Sequence, residues 1–185
     1  AILLEKYTAN FIFDIENRYI VYASIEEICK LLAVGIIAFR TRYVDEPIDA
    51  MIYCITTALG FAAIENALFI LSPLENGEII KGIITGNMRF IGATLVHVVS
   101  SAVIGFMIGI SFYKKKSTKV ISIIVGVILA IVLHASFNLS IIEETTVTNT
   151  LKVFGLVWIA VIILIMLFEE IKGINNNQSN NHSIL

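Results

Sequence analysis

The sequence predicts an all-α protein, a polytopic transmembrane bundle of about five helices. Three observations predict it. Of the 185 residues, 57% are hydrophobic and only 15% charged, against roughly 45–50% and 25% in an average soluble domain. Mean hydropathy is +0.88. Apolar runs also continue for about twenty residues where a globular chain would turn. A net charge of -2 leaves no basic face, so nucleic acid is excluded and the lipid bilayer is the first partner. Cys29 and Cys54 lie inside apolar runs without metal spacing and read as buried thiols.

Residues 1–18 form an N-terminal segment. Its apolar start, Ala1 to Leu4, reads as the end of an upstream span, and no secretory signal is visible. Span A then runs from Tyr19 to Phe39 and span B from Ile48 to Leu71. Pro47 stands at the start of B, where a missing N–H costs nothing. Ser72-Pro73 and Asn76-Gly77 close B. Span C covers Arg89 to Tyr113 and stops at Lys114-Lys115-Lys116; span D covers Val120 to Ile142 and span E Leu151 to Phe168. Residues 19–168 thus make one membrane domain. The B–C loop, with Gly77, Gly82 and Gly86, reads as a mobile gate for lateral entry. Residues 169–185, Asn-rich from Asn175 to Asn181, read as a disordered tail.

Basic residues set the orientation. The A–B loop, C–D loop and tail hold Arg40, Arg42, Lys114, Lys115, Lys116, Lys119 and Lys172. The opposite side has Lys6, Arg18, Lys81 and Lys152, with Arg89 at a span edge. The expectation is a multi-pass cell-membrane protein whose lysine-rich C–D loop and tail are cytoplasmic. The D–E loop, with Glu143 and Glu144, then faces out.

Ionisable residues interrupt these spans, each at a cost of about 2.5–3.5 kcal/mol at mid-bilayer on insertion scales. Glu26, Glu27 and Lys30 share a face of A, since i, i+3 and i, i+4 neighbours meet. Glu65 follows Phe61 by four on B, with Asn66 beside it. His97, Ser101 and Gly105 repeat at four on C, and His134 and Asn138 on D. Counted at 1.5 Å per residue, Glu26, Glu65, His97 and His134 each lie roughly 9–12 Å from the outer end of their spans. Alternating helices therefore place carboxylates and imidazoles in one layer, a pocket among spans A–D in the outer half of the bilayer. Ser101, Gly105 and Gly109 also form a ridge of small residues that admits a close helix neighbour. Ser24-x-x-Glu27 fits a capping box as well, which would reduce Glu27 to a helix start.

Such a set suits activation of water. In one version His97, His134 and Glu65 hold a catalytic metal, for which Zn²⁺ is the natural ion, and Glu26 is the general base. In the other no metal takes part: Glu26 with a histidine takes the proton from water while Asn138 and the other histidine stabilise the oxyanion. Without an HExxH signature the sequence leaves both open.

The residues resemble those of the PrsW family of intramembrane proteases, relatives of the CAAX prenyl endopeptidases and abortive-infection membrane proteins. Glu26-Glu27-Ile28-Cys29-Lys30 matches EExxK, Phe61 to Asn66 matches FxxxEN, His97 through Ser101 to Gly105 matches HxxxSxxxG, and His134 to Asn138 matches HxxxN. The resemblance covers roughly Ser24 to Leu139. It implies a membrane-embedded endopeptidase, metallo- or glutamate-type, that makes the first, outer-side cut in a single-pass substrate such as an anti-sigma factor. Glu26, Glu27, Lys30, Glu65, His97, His134 and Asn138 would carry the chemistry, supported by Asn66, Arg89 and Ser101. The main competing reading is a proton- or cation-coupled transporter or channel using a glutamate–histidine relay. A scaffold binding a partner helix through the Ser101–Gly109 ridge is the other.

Overall fold

The computed structural model describes the backbone of residues 1–143 and 147–182, and the side chains of 1–141 and 151–174. Among the described residues seven helices follow one another: α1 (Ile2–Thr8), α2 (Ile15–Ile37), α3 (Pro47–Glu75), α4 (Ile79–Ile91), α5 (Ala93–Ile110), α6 (Lys116–Glu143) and α7 (Val147–His182). Among the described residues there is no strand. Of the described residues, four stretches are long and apolar enough to cross a membrane: Pro47–Glu75, Ile79–Ile110, Lys116–Ile141 and Leu151–Ile174. Helix α2, the predicted span A, is 23 residues long, enough for roughly 34 Å. Its internal charges lower its hydropathy, while Leu32, Ile36 and Ile37 remain exposed on its outer face. The protein is an all-α, multi-pass membrane bundle.

Local chemistry explains the boundaries. Asp14 caps α2 by accepting from the Asn17 N–H. Ser24 lies well inside that helix and donates to the Ile20 carbonyl, so Ser24-x-x-Glu27 is no capping box. Glu46 and Asp49 form a reciprocal box at the start of α3, with Pro47 in the first turn. Beyond α3, Gly77 adopts φ 77°, which only glycine takes without strain.

Helix α5 is the centre, packed against α3, α4, α6, α7 and α2. Its Gly105 faces α3 so closely that an added Cβ would sit 2.6 Å from Met51 Cα and 2.8 Å from the Ala50 carbonyl oxygen. At Gly109 it would meet the Pro47 carbonyl oxygen at 2.6 Å. The predicted small-residue ridge therefore exists, and the chain's own α3 occupies it, which removes the basis for a scaffold reading.

Two expectations about the B–C region are corrected. Span C is two helices: the chain breaks at Gly92, against which the α7 side chain of Phe154 packs, and Arg89 sits in the last turn of α4. The glycine-bearing loop is mostly helix α4. Its Gly82 and Gly86 pack on Leu74 and Ile70 of α3, because small residues let the two helices touch. Helix α7 carries helical backbone to His182, through the segment whose composition suggested a tail; those side chains, like Glu143 and Glu144, lie outside the described ones. Both cysteines are free thiols.

Gly105→Leu should destabilise the bundle by about 1–3 kcal/mol or more through overpacking. Gly35→Ala, with nothing within 4 Å of its added Cβ, should be neutral or slightly stabilising. Unfolding midpoints in mixed micelles measure both, and equal midpoints would contradict a tight α3–α5 seam.

Candidate active site

Glu26, Glu27 and Lys30 project from one side of α2 and are all buried. Glu27 is 0% exposed and has three partners. Its Oε1 accepts from Lys30 Nζ at 2.6 Å and from His134 Nδ1 at 2.8 Å; its Oε2 accepts from Ser101 Oγ at 3.1 Å. One carboxylate thereby joins α2, α5 and α6.

A second carboxylate holds the other imidazole. Lys30 Nζ lies 3.1 Å from His97 Nδ1. An ammonium can only donate, so Nδ1 accepts and the ring proton sits on Nε2. That Nε2 donates to Glu65 Oε2 at 2.7 Å. Glu65 Oε2 also pairs with Arg89 Nη2 at 2.9 Å. Arg89 is held in turn by the Asn66 Oδ1 at 3.0 Å and by the face of Phe69, with its guanidinium 3.7 Å from the ring centroid. Asn66 completes the link by donating to Thr94 Oγ1 at 2.9 Å. Phe61 packs against the same pair, 5.5 Å from the His97 ring and 5.0 Å from Lys30 Nζ.

Glu26 stands between the two histidines. Its Oε2 is 3.7 Å from His97 Nδ1 and 3.6 Å from His134 Nε2, and it is buried without a hydrogen-bond partner among the described residues. With Nδ1 of His134 committed to Glu27, its Nε2 lone pair faces Glu26. The ligand atoms of Glu26, His97 and His134 all lie within 4.8 Å of one another. The two measured separations are close to the roughly 3.4 Å that tetrahedral bonds of about 2.1 Å imply. Were all three carboxylates ionised, Glu26, Glu27 and Glu65 would outnumber Lys30 and Arg89, and a cation beside Glu26 would balance the excess. The donor set fits a metal ion, but it differs from the expected Glu65–His97–His134. Glu65 is turned to the outer edge of His97 and to Arg89, and Glu26 takes its place.

A pocket of about 30 Å³, lined by Glu65, Arg89, His97, His134, Phe137 and Asn138 among others, adjoins the histidines. That is room for a water molecule or two. Beyond it lies a cavity of about 650 Å³ that Glu5, Tyr19, Tyr22, Glu26, Glu65, Arg89 and Asn138 help to line. Every site residue named from the sequence thus falls in or against one cluster. Missed were Glu5, on a helix taken for the remnant of another span, and Thr94 and Phe69, whose polar or aromatic character alone carries no signal of proximity.

Residues 2–167 match the family described as PrsW family intramembrane metalloprotease. The chain belongs to the PrsW family. It is 27% identical over 122 residues to Protease PrsW of Shouchella clausii (strain KSM-K16), covering 66% of this chain and 53% of that protein. Against Protease PrsW of Clostridioides difficile (strain 630) it is 28% identical over 150 residues, covering 77% of this chain and 61% of the relative. A third, from Geobacillus kaustophilus (strain HTA426), is 30% identical over 87 residues, or 47% of this chain and 35% of the relative. The chain therefore spans about half to three-fifths of the first two relatives. No solved structure matches it.

Because Glu27 and Lys30 neutralise each other in the interior, removing one should cost more than removing both. Glu27→Gln is expected to destabilise by about 3–5 kcal/mol, and Glu27→Gln with Lys30→Met by clearly less. Unfolding in mixed micelles tests this; a double variant as unstable as the single one would refute it.

Proposed function

We propose that this PrsW-family chain is an intramembrane endopeptidase that hydrolyses a peptide bond of a single-pass membrane protein near the outer face of the cell membrane. The observation that carries this reading is the buried, unpartnered Glu26 Oε2 facing His97 Nδ1 and His134 Nε2. An oxygen and two nitrogens converging beside a water-sized pocket are what metal-assisted hydrolysis needs. The family's description as metalloproteases supports the same reading.

Glu26, His97 and His134 would hold the ion, for which zinc is the natural choice, and Lys30 would give up its hydrogen bond to His97 Nδ1, whose single lone pair cannot serve both. When bound it supplies Lewis-acid polarisation and a more acidic water. Glu27 and Glu65 fix the histidine tautomers, as outer carboxylates do for metal-ligating histidines. Lys30 offsets the charge of Glu27. Glu65, which lines the water-sized pocket where Glu26 does not, takes the proton from the attacking water, so the two glutamates exchange the roles expected from the sequence. Asn138 and Arg89 line the same pocket and are the donors nearest a developing oxyanion. Asn66 and Ser101 hold Arg89 and Glu27 in place. The lysine-rich α5–α6 connection and the tail lie on the cytoplasmic side by their charge, and the substrate is of the anti-sigma-factor type that the resemblance implies.

A coupled transporter would need ionisable groups along a path through both halves of the membrane. Among the described residues, the buried ionisable side chains are Glu26, Glu27, Lys30, His97 and His134, all in one cluster.

Metal analysis and a cleavage assay on protein in lipid, with and without chelator, test the proposal. The expected results are about one ion per chain and chelator-sensitive cleavage. Glu26→Gln or His134→Ala should lose both ion and cleavage. Glu65→Gln should keep the ion and lose roughly 10²–10⁴ in rate, the usual worth of a general base. A metal-free wild type that cleaves at full rate would overturn the metal assignment, and a wild type that cleaves no single-pass substrate would overturn the protease reading.

A further inference from the structure

On the side of the histidines away from the polar cavity, α5, α6 and α7 leave a groove of about 200 Å³ between them. It is almost wholly apolar, with Val96, Phe137, Leu156 and Val157 in its walls. Two features separate it from an ordinary lipid-facing crevice. Val96 and Phe137 also line the water-sized pocket, so one pair of side chains forms a common wall between the groove and the candidate chemistry. Ser100 lines the groove, is 0% exposed, and among the described residues its hydroxyl has no hydrogen-bond partner. The Ser140 hydroxyl, by contrast, is satisfied by the Ser136 carbonyl at 2.7 Å. A buried hydroxyl left unpaired is costly unless something entering the groove pairs with it. A lipid chain has nothing to offer it; a peptide backbone does.

We propose that the α5–α6–α7 groove is a substrate subsite. It takes a large apolar side chain from the membrane-spanning part of the substrate, beside the bond that is cut, with Ser100 bonding to the entering backbone. The proposal rests on the endopeptidase reading and adds to it the direction of approach and the class of side chain preferred. Entry is then between α6 and α7, which touch only slightly, and not past the packed helix α4.

The chain's single tryptophan, Trp158, is 51% exposed on α7 next to groove residue Val157 and reports on occupancy without requiring turnover. The probe is a synthetic single-pass peptide with a leucine-rich membrane segment and one 4-bromophenylalanine near its outer end. It is titrated into phosphatidylcholine vesicles holding the Glu26→Gln protein. Saturable quenching of Trp158 is expected, weakened about tenfold by Ser136→Phe, which fills the groove, and retained in Leu156→Ala, which widens it. Non-saturable quenching, or quenching unchanged by Ser136→Phe, would overturn the proposal. So would brominated phosphatidylcholine that the peptide cannot displace, because an acyl chain would then own the groove. With Glu26 intact, cleavage of the same peptide should fall beside a large apolar residue and shift towards alanine in Ser136→Phe. Saturable, groove-dependent quenching without any cleavage would sink the endopeptidase reading and leave the peptide-binding groove standing.

Discussion

The structure depends on keeping one carboxylate satisfied. Glu27 is wholly enclosed by protein, where an unpaired charge would cost several kcal/mol even after relaxation. Its three donors come from its own helix and from two others. The demand then passes outward. Lys30 also reaches His97, His97 reaches Glu65, Glu65 reaches Arg89, and Arg89 reaches Asn66. Five helices, α2 to α6, are thus linked by one chain of charge-assisted hydrogen bonds. In lipid there is little hydrophobic drive for helices to associate, so such bonds and close packing must determine which faces meet.

Close packing supplies the other half. Glu65 on α3 can reach His97 on α5 because the ridge ending in Gly105 and Gly109 lets the two backbones come together. The same ridge begins at Ser101, a donor to Glu27. One stripe of α5 therefore sets both the helix spacing and part of the polar network. A larger residue at Gly105 would act on the site through distance, without touching any polar group.

What could be read from the sequence was whatever has a local period. The spans, the faces shared at i, i+4 and the small-residue ridge are properties of single helices, and the structure has them, save that span C is broken at Gly92. Equal depth also brought Glu26, Glu65, His97 and His134 into one layer. Depth says nothing about azimuth, however. Two glutamates at one level compete for the place between the histidines, and helix crossing decides in favour of Glu26, with Arg89 drawing Glu65 aside. Arg89 itself was misplaced because apolar residues run on through Gly92; the break falls there, where Phe154 of α7, far along the chain, packs against the glycine. Glu5 shows the same limit, since nothing in a seven-residue helix indicates which cavity it will line.

The histidines sit where two unlike environments meet. On one side is the larger cavity, in which Glu5, Glu26, Glu65 and Arg89 offer water a polar lining. On the other is the apolar groove of α5, α6 and α7. The small pocket shares Glu65, Arg89 and Asn138 with the first and Val96 and Phe137 with the second. Under the proposed function, hydrolysis inside a membrane has to bring water to a chain segment that lipid would otherwise keep dry. A partition with a wet face, a dry face and imidazoles between them meets that requirement by placement alone. The excess of carboxylates then has a reason to be there, because polar groups that recruit water and a cation are tolerable in a bilayer only where other protein groups bind them in turn.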